Sequence, residues 1–195
     1  MRYDSEHKEQ TRRRVLRAAA QAIRVEGPHK VGVADVMAKA GLTHGGFYAH
    51  FKSKDDLVAE AIGEMFRQSR KRLMAKSGDP ARDLVDYIDF YLSAEHRDAR
   101  GQGCPLPYLS GDAPRMSDGA RAAFATGAAG LCERLADRLA ALGRPEPDAD
   151  ATSMLAELVG ALALARAETD LARSDAILAA SRRSLTRRFS LETLP

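Results

Sequence analysis

Apolar residues return every three or four positions along most of this 195-residue chain and nowhere alternate with polar ones over the length of a strand. That period belongs to an α-helix with one buried face, so the chain reads as all-α, with about nine helices. Val15, Leu16, Ala19, Ala22 and Ile23 form the first stripe, closed by Gly27-Pro28. Val33, Val36, Met37 and Ala40 form a short second one, closed by Gly41, and Phe47 and Phe51 mark a third. A fourth runs from Val58 through Phe66 to about Lys76, and a fifth from Leu84 to Leu92. Gly101 to Pro114, dense in Gly and Pro, is expected to be a loop with at most one helical turn. Three helices follow: one bearing Leu131, Leu135 and Leu139, one capped by Asp148, and one capped by Ser174.

The charge is divided unevenly. Met1 to Lys54 carries eleven basic against five acidic residues, whereas the remainder carries 19 against 22. A basic front and a mildly acidic back are expected where one part meets a polyanion. No run of 18 uncharged apolar residues occurs, and the first 25 residues are too charged for a secretion signal. The expectation is a cytoplasmic protein with no membrane partner. Two cysteines, Cys104 and Cys132, make neither a disulfide framework nor a tetrahedral metal site; no metal and no cofactor are expected.

Residues 33 to 54 constrain function most. A short helix, a turn at Gly41-Leu42 and a second short helix from Thr43 outline a helix-turn-helix. Gly41 stands where a left-handed backbone is needed. On an α-helical wheel, Phe47 and Phe51 mark the buried side of the second helix, with Gly45, Gly46 and Ala49 opposite and Tyr48, His50 and Lys52 along the edges. Two glycines in a first turn cost about 1 kcal/mol each against alanine. That cost suits a backbone that must approach another surface, and the flanking phenol, imidazole and ammonium suit phosphate oxygens. Thr43 serves equally well as a plain helix cap.

The segment Val33 to Leu57, and Gly41 through Lys54 in particular, resembles the TetR family of bacterial transcriptional regulators, with Thr11 to Ala20 resembling that family's first helix. The resemblance implies an N-terminal three-helix DNA-binding domain over residues 1–54 and a larger helical effector-binding and dimerisation domain over 55–195. It implies a homodimer on a pseudo-palindromic double-stranded DNA operator. Thr43, His44, Gly45 and Gly46 would approach bases and backbone, and Tyr48, His50 and Lys54 would hold phosphates, with Arg12 or a neighbour near the start of the first helix assisting. Gly32 departs from the Ser or Thr frequent in the family before the second helix. The dimer interface would use Leu155, Leu158, Val159, Leu162, Ile177, Leu178 and Leu185; packing of these stripes inside one subunit is the alternative. An unidentified small-molecule effector would sit among Tyr87, Phe90, Tyr91, Cys104, Tyr108, Arg121, Phe124 and Arg166, though any one of these aromatics also serves as plain core.

Gly101-Gln-Gly-Cys-Pro-Leu106 is similar to a segment in regulators of this family that sense oxidants or electrophiles through cysteine. Pro105 would open a helix and leave Cys104 at its cap, where the helix terminus favours a thiolate; a small buried hydrophobe is the competing reading. The chain is thus expected to be a one-component repressor, released by an effector or by modification of Cys104. A DNA-binding dimer without an effector is the first alternative. An enzyme acting on a hydrophobic metabolite is the second, and the chain has no Gly-x-Ser-x-Gly, no phosphate-cradling glycine loop, no His-Glu-x-x-His and no cysteine pair for a metal. Its only tempting cluster, Glu95, His96, Asp98 and Cys104, reads as solvated surface.

Overall fold

The computed structural model describes residues 2–73 and 77–191, and every regular element among them is helical. Helix α1 (Arg2–Glu26) starts nine residues before Thr11, earlier than its apolar stripe announces. Val15, Leu16, Ala19, Ala20 and Ile23 are its buried positions. Helix α2 (Val33–Lys39) stops where the Leu42 amide turns back onto the Met37 carbonyl at 2.9 Å. Gly41, at φ 71°, provides the left-handed step that this turn requires.

The segment after the turn, His44–Ala49, is a 3₁₀ helix rather than the α-helix assumed on the wheel. Three residues per turn change which side chains share a face. Phe47 and Phe51 are still 2% exposed, their rings 5.6 Å apart, and Val36 and Met37 are buried beside α1. Helix α3 (Lys54–Leu73) follows at once. Its start is closed by a reciprocal cap, in which Ser53 Oγ accepts from the Asp56 amide and Asp56 Oδ2 from the Lys52 amide. Lys76, the expected end of this helix, lies outside the described residues.

Next come α4 (Pro80–Tyr91), α5 (Ala94–Asp98) and α6 (Leu106–Leu109), then a 3₁₀ turn at Ala113–Arg115. The Gly- and Pro-rich stretch thus holds more than the single turn expected. Helices α7 (Asp118–Ala141), α8 (Pro147–Ala167) and α9 (Leu171–Arg188) complete the chain. Their caps differ from expectation. Glu146 precedes Pro147 at the start of α8, and Asp170 Oδ1 caps α9 by accepting from the Arg173 amide. Ser174 is buried instead, donating to the Ala165 carbonyl at 2.6 Å.

The chain forms two compact units rather than dividing at residue 54. The first is Met1–Arg67 with Tyr108–Gly127; the second is Gln68–Pro107 with Ala128–Pro195. The reason is the apolar face of α3, because Leu57, Val58, Ala61, Ile62, Met65 and Phe66 are buried in the first unit. Phe124 stands edge-on to Phe66 there at 5.8 Å.

In the second unit α8 and α9 pack along each other and against α4. Leu155, Leu158, Leu162, Leu178 and Leu185 are at most 5% exposed within a single protomer. Their assignment to a dimer interface is therefore corrected: large leucines on adjacent helices are consumed by the protomer's own core. Val159 and Ile177 keep partial exposure. Among the described residues of this unit, Leu164 and Leu171 are the most exposed large apolar side chains, at 63% and 64%, with Leu142 at 36%.

A Cβ on residue 41 would touch nothing within 4 Å, so strain there is purely conformational. Gly41→Ala is expected to destabilise the protein by about 1–2 kcal/mol in urea titration; an unchanged midpoint would mean that the turn has another conformation.

Candidate functional site

The face built by the turn and the 3₁₀ segment is largely open. Thr43 begins that segment without a side-chain capping bond, so its exposed hydroxyl is not used as a cap. His44, Gly45 and Ala49 are exposed, and nothing lies within 4 Å of a Cβ placed on Gly45. Gly46 turns the other way: a Cβ there would sit 3.7 Å from Met37 Cε. Its expected place on the outward strip is corrected by the tighter winding of the 3₁₀ helix. Tyr48 is 73% exposed, held edge-on by Phe47 at 5.2 Å, so its hydroxyl points away from the core.

The flanking cations divide into free and fastened ones. Lys52 is exposed. Lys54 Nζ donates to the His29 carbonyl at 3.0 Å, tying the start of α3 to the loop before α2 while remaining at the surface. Arg12 is held inward. Its guanidinium pairs with the Glu60 carboxylate, reaches the His50 carbonyl at 3.4 Å and lies 5.0 Å over the Phe51 ring. The guanidinium thus braces α1 against α3 and the end of the 3₁₀ segment. His50 is half-buried, and burial, then the charges of Lys8 and Arg12, hold its imidazole below the ordinary value of 6.5. At Gly32 a Cβ would fall 2.8 Å from Asp35 Oδ2, so a Ser or Thr there would have to displace that carboxylate.

Tyr87, Phe90, Tyr91 and Cys104, four of the residues expected around an effector, line one cavity of about 250 Å³. Gln68, Ser69, His96 and Gln102 complete most of its wall. The other four expected residues lie elsewhere. Arg121 is exposed and pairs with Asp118 at 3.0 Å, and Phe124 packs on Phe66. Tyr108 lies on α6 in the first unit. Arg166 donates to the carbonyls of His96 and Arg97 at 2.7 and 3.1 Å, fixing the end of α5.

His96, read from sequence as solvated surface, is 1% exposed. It stacks on Phe90 and meets Tyr91 edge-on, both at 4.9 Å. Its Nδ1 donates to the Tyr91 carbonyl at 2.9 Å and its Nε2 accepts the Cys104 amide at 3.2 Å. That pairing fixes a neutral ring with its proton on Nδ1. Only a residue without a side chain fits at 103: φ is 89°, and a Cβ would fall 2.3 Å from His96 Nε2.

Cys104 is 4% exposed and precedes a helix of only four residues, so the expected activation by a helix terminus is corrected. Its neighbours are phenols. Burial, then the proximity of Cys104, keeps Tyr87 and Tyr91 protonated far above the usual range. Burial also raises the Cys132 thiol. Among the described residues no group of three or more His, Cys, Asp or Glu could hold a metal ion. No helix among them is long and apolar enough to cross a membrane.

Gly103→Ala is expected to expel His96 from the Cys104 amide, costing about 1–3 kcal/mol and speeding reaction of the Cys104 thiol with a disulfide reagent. Unaltered stability and thiol kinetics would contradict the His96–Gly103 contact.

Comparison with known proteins gives a consistent answer. The family model described as bacterial regulatory proteins, tetR family, matches residues 15–61. An HTH-type transcriptional regulator of Mycobacterium tuberculosis (strain CDC 1551 / Oshkosh) is 30% identical over 179 residues, 85% of this chain and 89% of that protein. The HTH-type regulator YdgC of Bacillus subtilis is 39% identical over 62 residues, 32% of each chain. A TetR transcriptional regulator from Chloroflexus aurantiacus superposes with a TM-score of 0.79 at 22% identity, covering 95% of this chain and 96% of that one. The reduced form of NemR from E. coli superposes at 0.77 with 21% identity, covering 91% and 96%.

Proposed function

The chain belongs to the TetR family of bacterial transcriptional regulators, and from that premise we propose a one-component repressor that grips a pseudo-palindromic operator as a homodimer. The observation that carries this reading is the uncovered row Thr43, His44, Gly45, Tyr48 and Ala49, with Lys52 beside it. A glycine edge lets the backbone approach the duplex, and the phenol and ammonium meet phosphates. Few side chains long enough to read base edges project from it, so His44 and groove shape carry the specificity.

One six-residue segment supports little affinity, so two copies act together. The second copy docks on the outward side of α8 and α9, through Leu164, Leu171 and the exposed alanines 156, 167, 172 and 176, rather than through the buried leucines. Release follows from filling the cavity beside Cys104 or from modifying its thiol. Gln68 and Ser69 of α3 line that cavity, and the same helix begins at Lys54, so α3 is the lever. A cavity of about 250 Å³, rather than a packed core, favours an effector over a purely structural rear part.

Selection of bound DNA from random sequence is expected to return an inverted repeat, with half-sites about 10 base pairs apart or a multiple of that. Affinity falls steeply with salt, and Lys52→Ala lowers that slope by about 0.9 for each protomer. Binding without salt dependence or dyad symmetry would end this reading. Release by a thiol reagent is expected in the native protein and absent in Cys104→Ser. Leu164→Arg is expected to turn the dimer into a monomer in sedimentation; an unaltered dimer would place the interface elsewhere.

His50 adds a pH signature. A phosphate beside its ring would raise a pKa that the free protein holds below 6.5, so binding takes up a proton. Affinity should therefore climb as pH falls from neutral through about 6.5, and His50→Gln should flatten the profile. A native protein with a flat profile, or an equal climb in the variant, would remove His50 from the phosphate contacts.

A further inference from the structure

The first helix carries a second basic surface that the operator contacts do not use. His7, Gln10, Arg14 and Arg17 follow one another at intervals of three, four and three residues, so they form a single row on α1. With Arg13 they line a shallow open groove of about 370 Å³. The row lies opposite the buried positions Val15, Leu16, Ala19 and Ile23, so it faces outward. At 1.5 Å per residue it spans about 15 Å from His7 to Arg17. Arg13 is tied to Glu9 at 3.0 Å, and Glu6 stands near the amino-terminal end of the same face. Arg14 and Arg17 are exposed, with no ion pair among the described residues.

We propose that this row grips phosphates of the duplex flanking the operator, extending each protomer's footprint beyond the helix-turn-helix. The proposal rests on the DNA-binding reading above and adds a surface to it. Three observations support it. Arg12, the cation expected to assist at the duplex, is fastened to Glu60, which leaves its outward neighbours to meet the polyanion. Lys8 and Arg12 of the same helix act electrostatically on His50, so the amino-terminal half of α1 lies beside the operator-binding segment. Unpaired guanidiniums at successive turns match a backbone that carries one negative charge per about 3.4 Å of strand. An anionic bilayer is a poor occupant, because the apolar stripe Val15, Leu16, Ala19 and Ile23 of α1 is buried and is not available to a membrane.

The test compares two duplexes carrying the selected inverted repeat, one trimmed to it and one extended by about one turn, or about 10 base pairs, on each side. Fluorescence anisotropy gives the slope of log affinity against log salt for the native protein and for Arg14→Ala/Arg17→Ala. The native slope is expected to be steeper on the extended duplex. The variant should lose about 0.9 per arginine removed on that duplex and nothing on the trimmed one. Arg14→Lys/Arg17→Lys should keep the native slope, because charge alone is required. If the alanine variant melts early, Arg14→Gln/Arg17→Gln serves in its place. Native slopes that are equal on the two duplexes overturn the proposal, as does a loss of equal size on both, which would put the arginines on the operator itself. A native protein that binds neither duplex overturns the DNA-binding reading and this one together.

Discussion

The structure depends on one small apolar cluster. Helix α2 and the 3₁₀ segment have seven and six residues, each far too short to persist alone in water. They exist because Val36, Met37, Phe47 and Phe51 close against α1, all at most 2% exposed. Arg12 seals the edge of this cluster by lying over Phe51 and pairing with Glu60 of α3. Binding the backbone this firmly from behind lets the front be made of glycine, alanine and a projecting tyrosine, which contribute little to stability. A weaker cluster would leave the exposed row without a fixed geometry to present.

The second unit applies the same division of labour to a different end. Its leucines make a continuous core along α4, α8 and α9, while a cavity beside Cys104 stays open. The walls of that cavity are rigid for identifiable reasons. His96 is clamped between two aromatic rings and hydrogen-bonded at both nitrogens, and the carbonyls at the end of α5 are held by Arg166. Arg97 extends this frame to Ser174 and Asp175 of α9. A ligand or adduct in the cavity therefore presses on elements with few soft alternatives. Tightly packed surroundings pass on such a displacement rather than absorb it.

Much of this was legible in the amino-acid sequence, and the failures have physical causes. The helical period exposed most of the elements, and Gly41 marked the turn because its backbone conformation nearly demands glycine. The choice between α and 3₁₀ winding for His44–Ala49 was not legible, since six residues show no difference in apolar spacing between the two. That alone misplaced Gly46. Arg2 to Gln10 carry no apolar stripe, so the early start of α1 left no trace. The leucine stripes of α8 and α9 fit a protomer core and a dimer seam equally well, and tertiary packing decided between them. His96 was missed because nothing local signals burial for a histidine beside Glu95; the clue was Gly103, whose lack of a side chain makes room for the ring.

The central claim is that the exposed 3₁₀ row meets a duplex. Amide hydrogen exchange of the native protein, with and without the DNA recovered by selection, tests it most directly. The account predicts slowed exchange concentrated in residues 43–52 on addition of that duplex, with the buried leucines of α8 and α9 unaffected. Exchange in 43–52 that stays the same while another surface becomes protected would contradict it.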